Sequence, residues 1–372
     1  MLIIINIKII EIIMSREALE RLLQNIVDRE SSDLHLSAGV TPMCRVHGDM
    51  QVLTDTILDN DSAQSLIHSV MSEEQKALFE DAMEMDFSME IESGARFRVN
   101  VFMQHRGIAA VFRVIPNEVL TLEQINAPEV LKAICENKSG LVLVTGPTGS
   151  GKSTTLAAMI NYINENNPEH IITIEDPIEF THVNKKSLVN QREVHSQTHG
   201  FKNALRAALR EDPDVILVGE MRDLETIKLA LTAAETGHLV FGTLHTTSAC
   251  KTVDRIVDVF SSEEKGMVRT MLSESLRAVV AQTLIKKKDG SGRVAAMEVL
   301  ISTPAIRNLI RENKIPQMYS MIQTGKKLGM QTLEQELQRL AGSGIIDGSI
   351  LTCVLEGKDD AERENESKHK EK

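Results

Sequence analysis

The sequence predicts an α/β protein in which a small α+β domain precedes a larger domain built on a parallel sheet. After about residue 123, strand and helix signals alternate at the spacing of a parallel α/β sheet. A glycine-rich loop lies between the first of these strands and the next helix. Before residue 116, helices are mixed with short runs that alternate between apolar and polar residues, as antiparallel strands do. The length of 372 residues also favours two domains over one.

The smaller domain is predicted to span residues 14–115. An amphipathic helix begins near Met14 and places Leu19, Leu22, Leu23 and Ile26 on one face. A second helix is predicted at 62–79. Strands are predicted at 87–91, 96–104 and 108–114, and the last two alternate like a hairpin that turns at 105–107.

The larger domain is predicted at 123–356, after a linker at 116–122. Its strands are predicted at 141–145, 171–174, 215–218 and 239–244. After residue 262 the pattern becomes helical, with Met267, Met271, Leu272, Leu276 and Val279 spaced as one buried face. A short hairpin at 284–285 and 294–300, turning at Asp289 and Gly290, precedes further helices. The charged segment 357–372 is predicted to be disordered.

The opening segment MLIIINIKIIEII is apolar but too short to span a bilayer, and it contains Lys8 and Glu11. It lacks the small-residue cleavage site of a signal peptide. We therefore predict that residues 1–13 are an extension outside the fold, that Met14 is the true start, and that the chain has no integral membrane segment. A segment that touches a membrane surface is the alternative.

Net charge and cysteine spacing argue against some classes of partner and of structural cross-link. A formal charge of −12 argues against a protein that coats nucleic acid, because phosphate binding needs clustered Lys and Arg. The four cysteines are widely separated and form no CxxC pair, so neither a zinc ribbon nor a disulfide framework is predicted. Free thiols in a reducing cytosol are the simplest interpretation.

Residues 146–154 read GPTGSGKST and follow an apolar strand, which is the sequence of a P-loop in its strand-loop-helix context. Glycines let backbone N–H groups surround phosphates, and the next helix adds the positive end of its dipole. Lys152 is predicted to reach the β- and γ-phosphates and Ser153 to hold Mg²⁺. The motif predicts a nucleotide site formed by Gly146, Pro147, Thr148, Gly149, Ser150, Gly151, Lys152, Ser153 and Thr154.

Acidic residues and histidines follow or flank the other predicted strands. Glu220 comes after strand 215–218 and is the first candidate to orient water or Mg²⁺. Further acidic candidates are Glu175, Asp176 and Glu179, for which helix capping or local ion pairs are the alternative. His238 and His245 flank strand 239–244 and are predicted to sense phosphate, with a satisfied core histidine as the alternative.

Several motifs carry a family resemblance. IITIEDPIEF at 171–180, DPDVILVGEMRD at 212–223 and GHLVFGTLHTTSA at 237–249 resemble the Asp box, Walker B motif and His box of the secretion ATPase superfamily. SDLHLSAG at 32–39, ARFRVN at 95–100 and AIRNLIRE at 305–312 resemble the PilT family in particular. The resemblance runs from about residue 14 to residue 342.

This resemblance implies a PAS-like N-terminal domain followed by a RecA-like P-loop domain with a helical C-terminal appendage. It implies a cytoplasmic homohexameric ATPase, using ATP and Mg²⁺, that retracts type IV pili and contacts a platform protein at the cytoplasmic face of the inner membrane. Glu220 would be the catalytic glutamate, and the acidic box with His245 would complete the site. Arg96, Arg98 and Arg113 match arginines of which some reach nucleotide; edge-strand arginines making surface contacts are the alternative.

Other functions stay open at this point. An accessory retraction paralogue shares most of these motifs. Pilus assembly and type II secretion ATPases usually add an N-terminal domain and often a four-cysteine insert, both absent from this sequence. A RecA-like DNA translocase fits poorly with the negative charge and with 3% aromatic residues. A scaffold that binds nucleotide without turnover would have no need for Glu220.

Overall fold

The computed structural model describes residues 15–46, 49–115 and 119–351, and the chain divides into two compact units between residues 118 and 119. The predictions for residues 1–13, for Met14 and for the tail 357–372 lie outside the described residues, as does part of the predicted linker. Each unit has its own hydrophobic core.

The first unit is an α+β domain built on one antiparallel six-stranded sheet, in the order β3-β2-β1-β6-β5-β4. The elements are α1 Arg16–Asp28, β1 Asp33–Ser37, β2 Met43–Val46, β3 Asp49–Val52, α2 Asn60–His68, α3 Glu73–Ala82, β4 Glu84–Glu90, β5 Arg96–Gln104 and β6 Gly107–Ile115. Alternation along β5 buries Phe97 and Val99 on one face, where the apolar stripe of α1 belongs to the same core.

The helix predicted at 62–79 is wrong as a single element, because the chain forms α2 and α3 there. Ser72 starts the second helix with a capping box: its side chain accepts from the Gln75 N–H, and the Gln75 side chain accepts from the Ser72 N–H. This reciprocal pair satisfies two backbone donors at a new helix start. Periodicity alone does not reveal the break, since both helices are amphipathic.

The second unit contains a seven-stranded sheet in the order β13-β12-β7-β11-β10-β8-β9. All neighbouring strands are parallel except β12 and β13. The elements up to β11 are α4 Val130–Cys135, β7 Gly140–Thr145, α5 Lys152–Asn166, β8 His170–Glu175, β9 Leu188–Glu193, α6 Phe201–Ala208, β10 Val215–Val218, α7 Leu224–Glu235 and β11 Leu239–Leu244. The four strands predicted for this domain are confirmed, and β9 is an addition that the sequence did not predict.

The rest of the second unit is more strand-rich than predicted. Its elements are α8 Ala249–Asp258, α9 Lys265–Ser275, β12 Leu276–Lys286, β13 Arg293–Ile301, α10 Pro304–Arg311, a 3₁₀ turn Ile315–Gln317, α11 Met318–Thr324, a 3₁₀ turn Lys326–Leu328 and α12 Leu333–Gly342. On the far strands, α12 packs Leu337 and Leu340 against Ile285 and Val294.

The helical face predicted to continue through Leu276 and Val279 is wrong. Helix α9 ends at Ser275, and both residues lie in β12, which pairs with β7 in the centre of the sheet. A buried apolar run in a parallel sheet shows no alternation, so its pattern cannot be distinguished from that of a buried helix. For the same reason the predicted hairpin was too short. Met267, predicted to be buried, is 51% exposed.

No helix among residues 15–46, 49–115 and 119–351 is long and apolar enough to cross a membrane.

Candidate nucleotide-binding site

The P-loop connects the end of β7 to the first residue of α5, as the motif predicts. Gly146, Gly149 and Gly151 have φ values of 148°, 76° and 86°, a region that favours glycine. A Cβ at Gly146 would lie 2.3 Å from the Gln282 carbonyl oxygen and 2.5 Å from Ser150 Oγ. The loop is therefore packed tightly on β12, and only glycine fits at its first position.

Lys152 lies over this loop. Its Nζ donates to the carbonyl oxygens of Gly146 and Pro147, each at 3.0 Å. Burial lowers the pKa of the ammonium, and the nearby carboxylates of Glu220 and Glu179 oppose that shift. The ammonium group of Lys152 is thus placed to contact a phosphate bound by the loop, and it lies near the carboxylates of Glu220 and Glu179.

Buried polar groups support an anion in the same place. Gln282 Nε2 donates to the Ser150 carbonyl at 2.7 Å and holds the loop from β12. Ser150 Oγ is buried and has no hydrogen-bond partner among the described residues. A buried hydroxyl without a partner is costly and calls for an explanation, and a phosphate oxygen would satisfy it. Sequence reasoning missed Gln282, because no local motif links it to a loop more than a hundred positions earlier.

Glu220 and His245 come together because they follow neighbouring parallel strands, β10 and β11. His245 Nε2 lies 2.8 Å from Glu220 Oε1, and Arg222 Nε donates to the same oxygen. Burial opposes ionisation of Glu220, but the hydrogen bonds from Arg222 and His245 outweigh it and lower the pKa of Glu220. The carboxylate is therefore ionised at neutral pH and held in one orientation.

These groups line a cavity of about 650 Å³. Its walls are formed by Thr148, Glu220, Met221, Arg222, Leu244, His245, Thr246 and Arg255. Two cations in this set, Arg222 and Arg255, were not predicted; the motif DPDVILVGEMRD contains Arg222 and was the available signal. An open space with a P-loop residue on one side and an ionised carboxylate on the other suits a substrate that carries phosphate.

The acidic loop follows β8, on the other side of β10. Glu175 Oε1 accepts from Thr173 Oγ1 at 2.6 Å and from Gln191 Nε2 at 3.3 Å. Burial raises the pKa of Glu175 to about 7, although these hydrogen bonds oppose the rise. Asp176 and Glu179 come next and are exposed. The strand order thus gathers all three predicted acids of this loop at the same sheet edge as Glu220.

We expect replacement of Glu175 by Gln to change the pH dependence of stability. Because the folded pKa is raised, the contribution of Glu175 to the free energy of unfolding is full below its ordinary pKa of 4.5 and is lost as pH rises through about 7. Relative to Glu175→Gln, the unmodified protein should lose roughly 2–3 kcal/mol between about pH 5 and about pH 8. Denaturant unfolding of both proteins at the two pH values measures this, and an equal difference at both would contradict it.

His238 does not join the site. It precedes β11, so it lies at the opposite edge of the sheet from His245. Its Nδ1 is 3.0 Å from the Ala233 carbonyl oxygen, and its own carbonyl accepts from the Gly140 N–H. The role predicted for His238 as a phosphate sensor is therefore incompatible with its position, since ligands of such sheets lie at the carboxyl ends of the strands.

The three predicted arginines belong to the first unit. Arg113 Nε donates to Asp33 Oδ1 at 2.8 Å, and Arg98 Nε lies 3.6 Å from Asp86 Oδ1. Arg98 and Arg113 are directly opposite each other across β5 and β6. These strands are interior to the sheet, so the interpretation of Arg96, Arg98 and Arg113 as edge-strand residues is wrong.

The residues proposed for Mg²⁺ are oxygen donors, which this ion prefers. Ser153 lies in the first turn of α5, and Glu220 is ionised at the end of a strand of the same sheet. Within the part of the chain that the structure describes, no group of three or more His, Cys, Asp and Glu side chains could hold a metal ion by itself.

The fold and the loop define a P-loop nucleotide-binding protein, in which an acidic strand end faces the phosphate loop. The chain belongs to the Type II/IV secretion system protein family, whose model matches residues 11–348.

Two curated relatives and one solved structure show where the chain falls within this family. It is 64% identical over 316 residues to the "Type IV pilus retractation ATPase PilT" of Pseudomonas aeruginosa PAO1, covering 85% of this chain and 92% of the relative. It is 63% identical over 309 residues to a "Twitching motility protein" of Neisseria gonorrhoeae, covering 83% of each. A crystal structure of the pilus retraction motor PilT with bound ADP matches with a TM-score of 0.84 at 49% identity, covering 90% of this chain and 95% of that one.

Proposed function

We propose that this chain is a motor ATPase that couples ATP hydrolysis to retraction of type IV pili. The observation that carries the proposal is the pairing of a complete P-loop with an ionised Glu220, oriented by His245, in a chain that is 64% identical to a pilus retraction ATPase over most of its length. One relative is named as a pilus retraction ATPase and the other as a twitching motility protein, and the ADP-bound structure is of a retraction motor.

In the proposed mechanism, backbone N–H groups of the P-loop and the Lys152 ammonium bind the phosphates of ATP. Ser153 and Glu220 would hold Mg²⁺, which would neutralise charge on the phosphates. Glu220 orients the attacking water and accepts its proton, since its carboxylate is ionised and held by His245 and Arg222. Asp176 and Glu179 add negative charge near this water, and Glu175, whose pKa is raised to about 7, is the alternative base.

We also propose that the chain works as a homohexamer at the cytoplasmic face of the inner membrane, where it contacts a platform protein of the pilus machine. One or more of Arg96, Arg98 and Arg113 would contact nucleotide. If the phosphates are bound by both domains, loss of the γ-phosphate weakens a closed arrangement and converts hydrolysis into domain movement. An accessory retraction ATPase and an assembly or type II secretion ATPase are the alternatives within the family.

A retraction assay in a deletion strain tests this function. The strain should retain pili but lose twitching, and expression of the intact chain should restore twitching. Normal retraction without the gene would overturn the proposal. Restoration only when a second retraction ATPase is present would favour the accessory role. The rate of ATP turnover should not change when single-stranded DNA is added. Stimulation by DNA would instead favour a DNA translocase.

The same assay tests α10, the AIRNLIRE helix. Ile306 and Ile310 are fully buried, whereas Arg311 is exposed. Arg307 is half-buried, and its Nε has no hydrogen-bond partner among the described residues.

Changing Arg307 and Arg311 together to Ala should leave ATP turnover within about twofold but abolish retraction, because this face transmits motion and does not bind phosphate. The control variant changes two exposed residues, Lys326 and Lys327, together to Ala. Normal retraction by the arginine variant would make the helix purely structural.

A further inference from the structure

Glu298 is a buried carboxylate to which the sequence motifs assign no role. It lies in β13, and 5% of its surface is exposed. Its Oε1 accepts from the Ala249 N–H at 2.7 Å, and the Leu333 N–H lies close enough to its side chain to lower its pKa. Ala249 and Leu333 are the first residues of α8 and α12. The carboxylate therefore binds the N-terminus of α8 and lies beside the N-terminus of α12, which is far from α8 in sequence.

Two helix starts compensate for the cost of burying this group. Isolated burial of a carboxylate is unfavourable, and burial indeed raises the pKa of Glu298, while the two backbone N–H donors oppose the rise. Each helix has ten residues and directs the positive end of its dipole at the carboxylate. Neighbouring contacts fix the second helix as well: Gln331 Nε2 donates to the Met297 carbonyl, and Gln331 and Val299 exchange two backbone hydrogen bonds.

Helix α8 begins close to the proposed reaction site, four positions after His245. Thr252 Oγ1, inside α8, lies 2.7 Å from Thr246 Oγ1 and 3.4 Å from Thr145 Oγ1, at the end of the strand that leads into the P-loop. Arg255 of the same helix lines the cavity that contains Glu220. The segment 246–248 is thus bound to α8 through Thr252, which contacts both Thr246 and the Ser248 carbonyl, and Glu298 binds the first N–H of the same helix.

We propose that Glu298 is a positioning residue for ATP hydrolysis, holding the start of α8 so that His245 keeps Glu220 oriented, and linking this geometry to the start of α12. The proposal rests on the proposed ATPase function, because it assigns Glu298 an effect on turnover. It predicts that loss of the acceptor oxygen at this position reduces the rate of the chemical step more than it reduces ATP binding, since the P-loop contacts are not involved. A displacement of His245 by about 1 Å can slow catalysis by roughly a hundredfold.

The experiment compares Glu298→Gln and Glu298→Met with the unmodified protein. Methionine has a similar length but cannot accept from the Ala249 N–H, so kcat for ATP should fall on the order of tenfold or more with KM kept within about twofold. Glutamine retains one acceptor oxygen and should recover most of kcat. Hydrogen exchange of the backbone amides of 245–252, followed by mass spectrometry, should be faster in Glu298→Met than in Glu298→Gln.

Glu336→Gln is the matched control. Glu336 is also a buried glutamate of this unit, 2% exposed, but its carboxylate binds Arg339 of its own helix α12. This variant should lower Tm while kcat and exchange at 245–252 stay unchanged.

Three outcomes are decisive. If both Glu298 variants keep kcat and exchange while Tm falls, Glu298 is only structural and the proposal is overturned. An equal loss of kcat in Glu336→Gln also overturns it, because any loss of stability would then suffice. If the unmodified protein shows no ATP turnover, the proposed function fails, whereas the exchange measurement still reports whether Glu298 holds the start of α8.

Discussion

Lys152→Ala is expected to abolish ATP turnover and to weaken nucleotide binding, with the fold intact. In the structure the Lys152 ammonium is bound by two carbonyl oxygens of the P-loop and lies near two carboxylates, so it is fixed over the loop without packing in a core. Removing a charged hydrogen-bond donor of this kind costs about 1.5–3 kcal/mol, or roughly a ten- to hundredfold loss of affinity. Turnover should fall further, because the same cation stabilises the charge that develops on the transferred phosphoryl group.

Nucleotide titration, ATP turnover and thermal unfolding of the variant measure these effects. Lys138→Ala is a suitable control, since Lys138 is exposed, pairs with Glu169 and lies just before the other end of β7. It should behave like the unmodified chain. Retained turnover with normal affinity in Lys152→Ala would sink the assignment of residues 146–154 as the phosphate site.

Glu220→Gln is expected to lower ATP turnover strongly while nucleotide binding stays nearly normal, unlike in Lys152→Ala. Glutamine has the same shape and its carbonyl oxygen still accepts from His245, so the site should keep its geometry. The amide carries no negative charge and cannot accept the proton of an attacking water. A lost general base typically costs at least about a hundredfold in rate, so turnover should fall by roughly that factor or more while ATP affinity changes little.

Single-turnover kinetics and nucleotide titration separate the two effects. Glu225→Gln is the control, since Glu225 lies in the first turn of α7 and pairs with Lys202 outside the cavity. If Glu220→Gln kept more than about a tenth of the unmodified turnover, Glu175 would become the better base. Its pKa of about 7 already suits that role at neutral pH.

The sequence predicted the parts of the fold that depend on local order. The P-loop is a contiguous motif, and its glycines are required by positive φ values within the loop itself. The four strands of the second unit were found because each is a short apolar run between turn signals. Glu220 and His245 were both predicted as site residues, and they meet because parallel strands place their carboxyl ends at one edge of the sheet.

The failures have equally specific causes. The run from Leu276 to Lys286 was partly assigned to a helix because a strand buried on both faces has no alternation, and only its pairing with β7 shows what it is. His238 was grouped with His245 because both flank one strand, although the direction of the strand places them at opposite edges. The break between α2 and α3 depends on a capping box that a periodicity argument passes over.

By itself, the sequence determined the class of protein and predicted the set of candidate site residues, since both rest on residues that are adjacent in the chain or end neighbouring parallel strands. Only the tertiary structure decided what holds that set in place. Gln282 on the P-loop, Arg255 in the cavity and Glu298 at the start of α8 each act on a group more than thirty positions away, or on a surface formed by several elements. Such contacts depend on which strands become neighbours, and that order is settled by burial of the whole core, which no local pattern of residues records.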